Sequence, residues 1–255
     1  MITMNKVLII AAISVTSSLF AQVEFGFSSG VNYSTQHVSY NKSNRISFSN
    51  SSDFSVSPVS GFNAGVLILA NLRDRIDLKF TALYSVKGQY EKTTRTSGSA
   101  PAGGGVEFKD KIKYIDLPVE LVYNLGQKQH HGMFVSFGIY LAKTLAAKSH
   151  FHDYDSDYDQ ECDVVIKSSI DNWKPNTLYI RPIDLGLRAG IGYRYRSFII
   201  AISNEYALMN NIPQVSNTAA NPLAEYSNKS SRKNVCWGLS ISYLPLVLLK
   251  DDPKK

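Results

Sequence analysis

The chain has 255 residues, of which 44% are hydrophobic and only 19% are charged, and its formal net charge is +6. That length allows one large all-β domain or two small domains, and so mild a positive excess gives no reason to expect a nucleic-acid partner. The 15 Tyr and 12 Phe residues favour strands, and Tyr also favours the interfaces of membranes.

Residues 1–21 are predicted to form a secretory signal peptide. Lys6 supplies a short basic start, an apolar run extends from Val7 to about Val15, and Ala21 provides a small-residue exit. The apolar run is too short to span a membrane as a helix. A cysteine does not follow the predicted cleavage point, so a lipoprotein anchor is not supported. We therefore expect a mature domain over residues 22–255.

Apolar and polar side chains alternate in this domain, which predicts strands. The pattern is plain from Ile115 to Tyr123, where large apolar residues take the odd positions and Asp116, Pro118 and Glu120 the even ones. Similar alternation recurs along the chain. The predicted strands lie near residues 23–34, 60–71, 76–87, 111–125, 133–144, 183–194, 198–208 and 235–243.

The predicted connections alternate between long and short. The long ones are 41–57, a segment centred on 97–105, 149–178 and 210–232, and the short ones are 73–75, 126–131 and 195–197. An up-and-down transmembrane barrel requires this order, with brief periplasmic turns and extended outer loops. We predict an all-β fold, a single up-and-down antiparallel transmembrane β-barrel of about eight strands, with four long extracellular loops and a short C-terminal tail.

The small and charged parity of these strands is predicted to face the lumen. A soluble barrel would invert this arrangement, with large apolar residues inside. In a narrow lumen of eight strands the charges can pair with one another, and side chains fill the interior, so we expect no open pore and a structural role for the ionic set. Its members are Glu24, Asp77, Lys79, Lys87, Asp116, Glu120, Asp184, Arg188, Arg194 and Glu205.

Aromatic residues on the apolar parity group towards the strand ends, as in the two aromatic belts of lipid-facing strands. We therefore expect outer-membrane lipid around the barrel. The belt near the short turns comprises Phe25, Tyr123, Tyr193, Phe198 and Tyr243, and the belt near the long loops comprises Tyr33, Tyr84, Tyr206 and Trp237.

Three stretches carry a more specific pattern: FAQ at the end of the signal segment, the strand motif YIDLP from Tyr114 to Pro118, and the run GIGYRYRSFIIAISNEYALMNNI. Together they resemble the PorT-like outer-membrane β-barrel family of Gram-negative bacteria. The resemblance implies an eight-stranded barrel and, for some members, a role in a protein-secretion apparatus. One departure is the end of the chain, which continues past Tyr243 where many such barrels finish on an aromatic residue.

The most acidic segment, SHFHDYDSDYDQECD, is predicted to be an open, solvated surface loop. It carries alternating carboxylates, as calcium loops do, but lacks their glycine and their closing glutamate. A divalent-cation site stays open as the alternative. The residues concerned are Asp153, Asp155, Asp157 and Asp159, preceded by His150 and His152.

An enzyme would need a nucleophile or an activated water, with His and carboxylates, at one barrel mouth. His37, His150 and His152 could lie there with Asp153, but their spacing indicates no triad, and the pair 130–131 falls in a short turn. We predict no catalytic, cofactor-binding or metal-binding residues and no cofactor.

Cys162 and Cys236 would permit a disulfide in an exported protein. They are far apart in sequence, and Cys236 is expected to point inward near the outer end of the last strand. Unpaired thiols are therefore favoured over a bridge.

The sequence predicts a non-catalytic protein of the cell outer membrane, acting as a structural or interaction component of the envelope. Its expected partners are lipid and, through the long loops, envelope or secretion-apparatus proteins. Two alternatives stay open: an outer-membrane enzyme with a site at the extracellular loop mouth, and a soluble periplasmic ligand-binding barrel.

Overall fold

The computed structural model describes residues 22–39, 52–95, 105–126, 131–170, 177–215 and 231–248. The predicted signal peptide and parts of the predicted long loops lie outside these residues. Among the described residues no helix is long and apolar enough to cross a membrane. The strands are β1 (Gln22–Ser39), β2 (Ser52–Arg73), β3 (Ile76–Arg95), β4 (Gly105–Asn124), β5 (His131–Asp153), β6 (Tyr158–Ile166), β7 (Ser169–Ile170), β8 (Thr177–Ile180), β9 (Ile183–Tyr195), β10 (Phe198–Ala207), β11 (Gln214–Val215) and β12 (Ser231–Leu248).

Eight strands form a closed antiparallel ring in the order β1-β2-β3-β4-β5-β9-β10-β12, and β12 pairs again with β1. Successive strands of the ring are neighbours, which confirms the predicted up-and-down barrel. The connections at 74–75 and 196–197 are short and lie at the end of the barrel where β4 ends and β5 begins, which is called the turn end. The opposite end is called the loop end. There β6 pairs with the end of β5 and with β8, and β7 pairs with β11.

The two faces of the ring are sorted as the alternation predicted. Large apolar side chains point outward and are half exposed, among them Phe27, Phe137 and Trp237. The ten charged residues assigned to the lumen point inward, and all are buried except Lys79, whose side chain is 12% exposed. An apolar exterior around a polar interior is the arrangement that strands adopt in lipid.

The outward aromatic residues form the two predicted belts. At the turn end, Phe198 lies opposite Tyr243 in register, and their ring centroids are 4.9 Å apart. At the loop end, Tyr33 lies opposite Trp237, and both are more than half exposed. The outward residues between the belts are apolar, and most are aliphatic, such as Ile202 and Ile241.

Several strands extend well into the segments predicted as loops. Ser52 on β2 pairs with Arg95 on β3, so the prediction of a loop over 41–57 is wrong from residue 52 onward. The predicted open loop over 149–178 is also wrong, because β5 continues to Asp153 and β6 returns from Tyr158 as a hairpin. The outer faces of these extensions carry polar residues such as Lys109, Lys111 and Lys148, while apolar residues such as Phe108 and Phe151 recur only at intervals. The extensions therefore lack the regular apolar alternation that reveals a strand in sequence.

The pairing of β4 with β5 contains one irregularity near the loop end. Lys113 pairs with Ala146, whereas Tyr114 pairs with Thr144, so the register skips Leu145. Leu145 and Ala146 both face outward as a result. This is the geometry of a β-bulge, in which one strand carries one extra residue.

Pro118 lies on the inner face of β4 and is fully buried. The β3–β4 pairing runs from Phe80 with Val119 to Leu83 with Asp116, without Pro118 among the paired residues. Because proline has no amide hydrogen, this gap is where a strand can accommodate it.

Candidate functional site

A chain of ion pairs fills the middle of the lumen. Lys87 Nζ lies 2.8 Å from Asp116 Oδ2 and 2.6 Å from Glu205 Oε2, and Arg188 Nη1 donates to the other oxygen of Glu205. Lys87 on β3 and Glu205 on β10 belong to opposite strands of the ring. Their contact therefore crosses the lumen and connects its two walls.

Glu120 continues this chain towards the turn end. Its Oε2 lies 2.9 Å from Lys79 Nζ and 3.5 Å from Arg188 Nε, and its Oε1 accepts a hydrogen bond of 2.8 Å from Ser136. Buried charges are tolerated only when they are paired. In order along the chain, the signs alternate and cancel: Asp116, Lys87, Glu205, Arg188, Glu120 and Lys79.

A layer of neutral polar groups around Asp184 lies nearer the loop end. Asn234 Nδ2 donates to Asp184 Oδ2 at 2.8 Å and to the Tyr114 hydroxyl at 3.2 Å, and the Tyr140 hydroxyl donates to Asp184 at 3.2 Å. Gln36 Nε2 donates to Asn234 Oδ1 at 2.9 Å. Since β12 and β4 are also opposite strands, the contact from Asn234 to Tyr114 is a second crossing of the lumen.

Two apolar clusters inside the barrel were missed by the sequence prediction. The cluster at the turn end comprises Leu67, Leu69, Val122, Phe134, Ile199, Ala201 and Leu244. The cluster near the loop end comprises Ile112, Tyr114, Tyr140, Ala142 and Ile180. The signal that could have found the first is a continuous apolar run, such as Val66 to Ala70, in which both faces of the strand are apolar.

The aromatic members of these clusters lie over glycines of the neighbouring strand. Tyr140 and Phe134 on β5 pair with Gly186 and Gly192 on β9. A Cβ atom at Gly186 would lie 2.5 Å from the Tyr140 ring, and one at Gly192 would lie 2.4 Å from the Phe134 ring. The glycines of β9 therefore provide the space in which the rings of β5 close the lumen.

The lumen is not a pore. The cavity beside Asn32, Asp116 and Glu205 has a volume of about 10 Å³, which is room for a single water molecule. The prediction that side chains fill the interior is confirmed, and a porin-like channel does not fit this arrangement.

The acidic segment forms the β5–β6 hairpin at the loop end. Asp153 caps its turn, since Oδ1 accepts from the Asp155 amide at 2.9 Å and Oδ2 accepts from the Ser156 hydroxyl at 3.0 Å. Asp159 Oδ1 lies 3.1 Å from His152 Nδ1 and 3.5 Å from His150 Nδ1. Within the described part of the chain no three His, Cys, Asp or Glu side chains converge on one point in a way that could hold a metal ion.

A carboxylate on the outer face of β4 ties the hairpin to the wall of the barrel. Glu107 accepts hydrogen bonds from the hydroxyls of Tyr154 and Tyr90. Partial burial acts to raise the pKa of the Glu107 carboxyl, but the two hydroxyl donors and the nearby charges of Lys92 and His152 outweigh it, and the pKa is lowered. Glu107 therefore favours its charged form at the base of the hairpin.

The remaining candidate residues are not brought together. His37 lies on β1, which does not adjoin β5, where His150 and His152 lie. His131 packs edge-on against Tyr195 at 4.8 Å at the turn end. Both cysteines are free, with Cys236 buried and facing inward as predicted.

A closed eight-stranded ring, an apolar exterior with two aromatic belts and a lumen of paired charges define a transmembrane β-barrel of the Gram-negative outer membrane. The family model of the outer membrane protein beta-barrel domain matches residues 18–213. The chain belongs to this family. The protein is surrounded by outer-membrane lipid, and the alternative of a soluble periplasmic barrel is wrong.

Several solved structures are similar to this chain at low sequence identity. Ail, the attachment invasion locus protein of Yersinia pestis, in complex with the heparin analogue sucrose octasulfate, is 12% identical, with a TM-score of 0.37 over 89% of this chain and 99% of that chain. Neisserial surface protein A is 10% identical, with a TM-score of 0.35 over 86% and 96%. OprG from Pseudomonas aeruginosa is 12% identical, with a TM-score of 0.34 over 89% and 94%. Among curated protein sequences there is no match.

Proposed function

We propose that this protein is a non-catalytic structural or interaction component of the outer membrane. The observation that carries the proposal is the filled lumen, which ion pairs and hydrogen bonds cross from wall to wall at Lys87–Glu205 and Asn234–Tyr114. A barrel with this interior has neither a solute path nor the open cleft that a substrate requires. The surfaces available for function are therefore the outer wall and the loop end.

The proposal includes the orientation of the barrel. In barrels of this kind the short turns are periplasmic and the long connections are external, so the loop end faces outside. On β3, the stretch from Tyr84 in the aromatic belt to Arg95 extends roughly 35 Å along the strand. Together with the β5–β6 hairpin, this stretch forms a wall that projects beyond the lipid and offers a surface to an envelope or secretion partner.

The resemblance to PorT-like proteins supports a role in secretion. The YIDLP motif on which it rests lies in the membrane-spanning part of β4, where Asp116 takes part in the ion-pair chain and Pro118 interrupts a ladder. Residues 1–21 act in this proposal as the signal peptide that directs the chain to the envelope, and residues 22–255 are the mature protein.

Two measurements on the folded protein test the closed lumen and the orientation. In planar lipid bilayers the wild-type barrel should show no defined conductance steps, and regular steps would overturn the closed-lumen argument. For orientation, Cys162 and Cys236 are first replaced by Ser, and S156C in the hairpin turn is compared with D74C at the turn end. A membrane-impermeant maleimide on whole cells should label S156C and not D74C, and the reverse would refute the orientation.

The role itself is tested by deleting the gene in the host. A secretion role predicts that proteins normally released to the medium are retained in the periplasm while detergent resistance is unchanged. A structural role predicts detergent sensitivity and leakage of periplasmic proteins without selective retention. An activity that disappears when His150 and His152 are both changed to Ala would contradict the non-catalytic proposal.

A further inference from the structure

We propose that a cluster of lysines on the outer wall of the barrel binds the phosphate groups of outer-leaflet lipid. The cluster, called the lysine patch, comprises Lys109, Lys111 and Lys113 on β4 and Lys143 and Lys148 on β5. All five side chains point outward and are exposed. The inference rests on the proposed orientation, in which the loop end faces outside.

The pairing of β4 with β5 places like charges side by side. Lys111 lies directly opposite Lys148 in register. Side chains in such cross-strand positions have Cβ atoms roughly 5 Å apart, and like charges there destabilise the sheet. An anion bound between the two ammonium groups would remove that repulsion.

The β-bulge assembles the patch. In an unbroken strand, Lys143 and Lys148 would face opposite sides because they are an odd number of residues apart. The register skips Leu145, so both lysines face outward. A β-bulge can redirect side chains in this way, and here it places both ammonium groups on the outer face.

The patch begins at the height of the loop-end aromatic belt. Ile115 pairs with Tyr84 of the belt on one side and with Lys143 on the other. Lys113, Lys111 and Lys109 then follow at successive outward positions, roughly 7 Å apart along the strand. Aromatic belts mark the boundary of the hydrocarbon layer, so the lysines lie at the level of the lipid headgroups.

Nearby carboxylates leave most of this charge uncompensated. Glu161 on β6 lies 3.0 Å from Lys148 Nζ, but both side chains are largely exposed, and such pairs contribute little. Glu107, next along β4, is engaged by Tyr154 and Tyr90. Within the described part of the chain the other four lysines have no carboxylate partner. Asp159, Glu161 and Asp163 border the patch along β6, so its free charge lies towards β4.

The lysines concentrate on one side of the barrel. On β1, across the barrel, the outward residues beyond Tyr33 are Thr35, His37 and Ser39. The neighbouring strand β12 adds the single lysine Lys233, which lies opposite His37 and over the Tyr206 ring. A general attraction to the membrane surface would not require five lysines on two adjacent strands. Lysine binds phosphate as a compact point charge with rotatable donors. The patch extends roughly 14 Å along β4 from Lys113 to Lys109, a length that suits a lipid with phosphate groups at the two ends of its headgroup.

The test uses the full-length folded protein in detergent and two fluorescent probes, a bisphosphorylated lipid A and its dephosphorylated form. The patch variant K111Q/K113Q/K143Q is compared with the control R73Q/R75Q/R196Q, which removes equal charge from exposed positions at the turn end. We expect wild type and control to bind the phosphorylated lipid alike. The patch variant should bind it at least about tenfold more weakly, and the dephosphorylated lipid should bind weakly to all three proteins.

Equal affinity of the patch variant and the control would overturn the inference, provided that both shift on heating in gel electrophoresis as folded barrels do. Displacement of the lipid by inorganic phosphate at concentrations near the lipid Kd would show that the site takes free phosphate, which also overturns it. The labelling of S156C and D74C on whole cells tests the proposed orientation independently of lipid binding.

Discussion

Lys87 and Glu205 are 118 residues apart in the chain and form an ion pair of 2.6 Å across the lumen of the barrel. Strand ladders connect only adjacent strands, so they hold the ring closed without fixing what lies at its centre. The contact between Lys87 and Glu205 joins opposite walls. It therefore helps to set the distance between the two walls, and it neutralises charge in the centre of the lumen.

Removal of Lys87 is expected to destabilise the barrel strongly. In the Lys87→Met variant, Asp116 and Glu205 stay buried without the ammonium group between them, which should lower the free energy of unfolding by about 3–5 kcal/mol. Urea unfolding in phospholipid vesicles measures this loss. Lys167→Met, at an exposed position, is the control and should change the free energy of unfolding by less than about 1 kcal/mol. A similar result for both variants would mean that the lumen pair is not a structural contact.

The outer face of β10 should tolerate a charge only near the membrane surface. Ile202 lies midway between the aromatic residues Phe198 and Tyr206, and Leu208 lies beyond Tyr206. Ile202→Arg should cost about 2–4 kcal/mol and reduce assembly, whereas Leu208→Arg should cost about 0–1 kcal/mol. The heat-shifted fraction in the outer membrane measures assembly of each variant. Equal assembly of the two would place the lipid boundary elsewhere.

Inward glycines should differ in their tolerance of a methyl group. A Cβ atom at Gly186 would lie 2.3 Å from the backbone oxygen of Tyr206 and 2.5 Å from the Tyr140 ring, whereas the first contact of a Cβ atom at Gly238 is Ser203 Oγ at 3.1 Å. Gly186→Ala should lower the free energy of unfolding by about 1–3 kcal/mol, because the lumen is overpacked. Gly238→Ala should be nearly neutral. If chemical unfolding shows no difference between the two alanine variants, Tyr140 does not close the lumen as described.

The hairpin at the loop end should loosen in acid. The pKa of Glu107 is lowered in the folded protein, so its stabilising effect is full above the ordinary pKa of a carboxyl, about 4.3, and is lost as the pH falls through the lowered value. The reporter is the amide of Tyr154, which donates to Gly105 O at 2.9 Å. In the wild-type protein the hydrogen-exchange protection of this amide, corrected for the intrinsic rate, should decrease as the pH is lowered through the pKa of Glu107. Glu107→Gln should have low protection with no such pH dependence.

Which face of each strand points outward was predictable, because lipid on one side selects apolar side chains and the polar lumen on the other selects small or charged ones. Lys87, Glu205 and their neighbours could be assigned to the lumen for this reason. Their partners could not, since a contact across the ring depends on strand order and tilt, which a single strand does not encode. The inward Leu67 could have been found from the continuous apolar run Val66 to Ala70, whereas the run around Phe134, from Met133 to Val135, is too short to give such a signal.

The strand extensions at the loop end were not predicted for a different reason. Ser52 and Arg95 pair beyond the membrane, where the outer face of the wall no longer meets lipid and outward residues need not be apolar. The β-bulge could not be recognised in the sequence either, because Leu145, Ala146 and Ala147 can occupy either face of a strand. Its effect on Lys148 became visible only through the register.

At the same bulge, β5 contains one residue more than the paired stretch of β4. Deletion of Leu145 would leave Lys143 and Lys148 on the outer face and Ser149 on the inner face, because the skipped position is the one removed. Deletion of Ile139, within the lipid-facing stretch, would instead turn a neighbouring side chain to the wrong side. The junction between the spanning strands and the hairpin is therefore a place where chain length can change by one residue without exchanging the two faces.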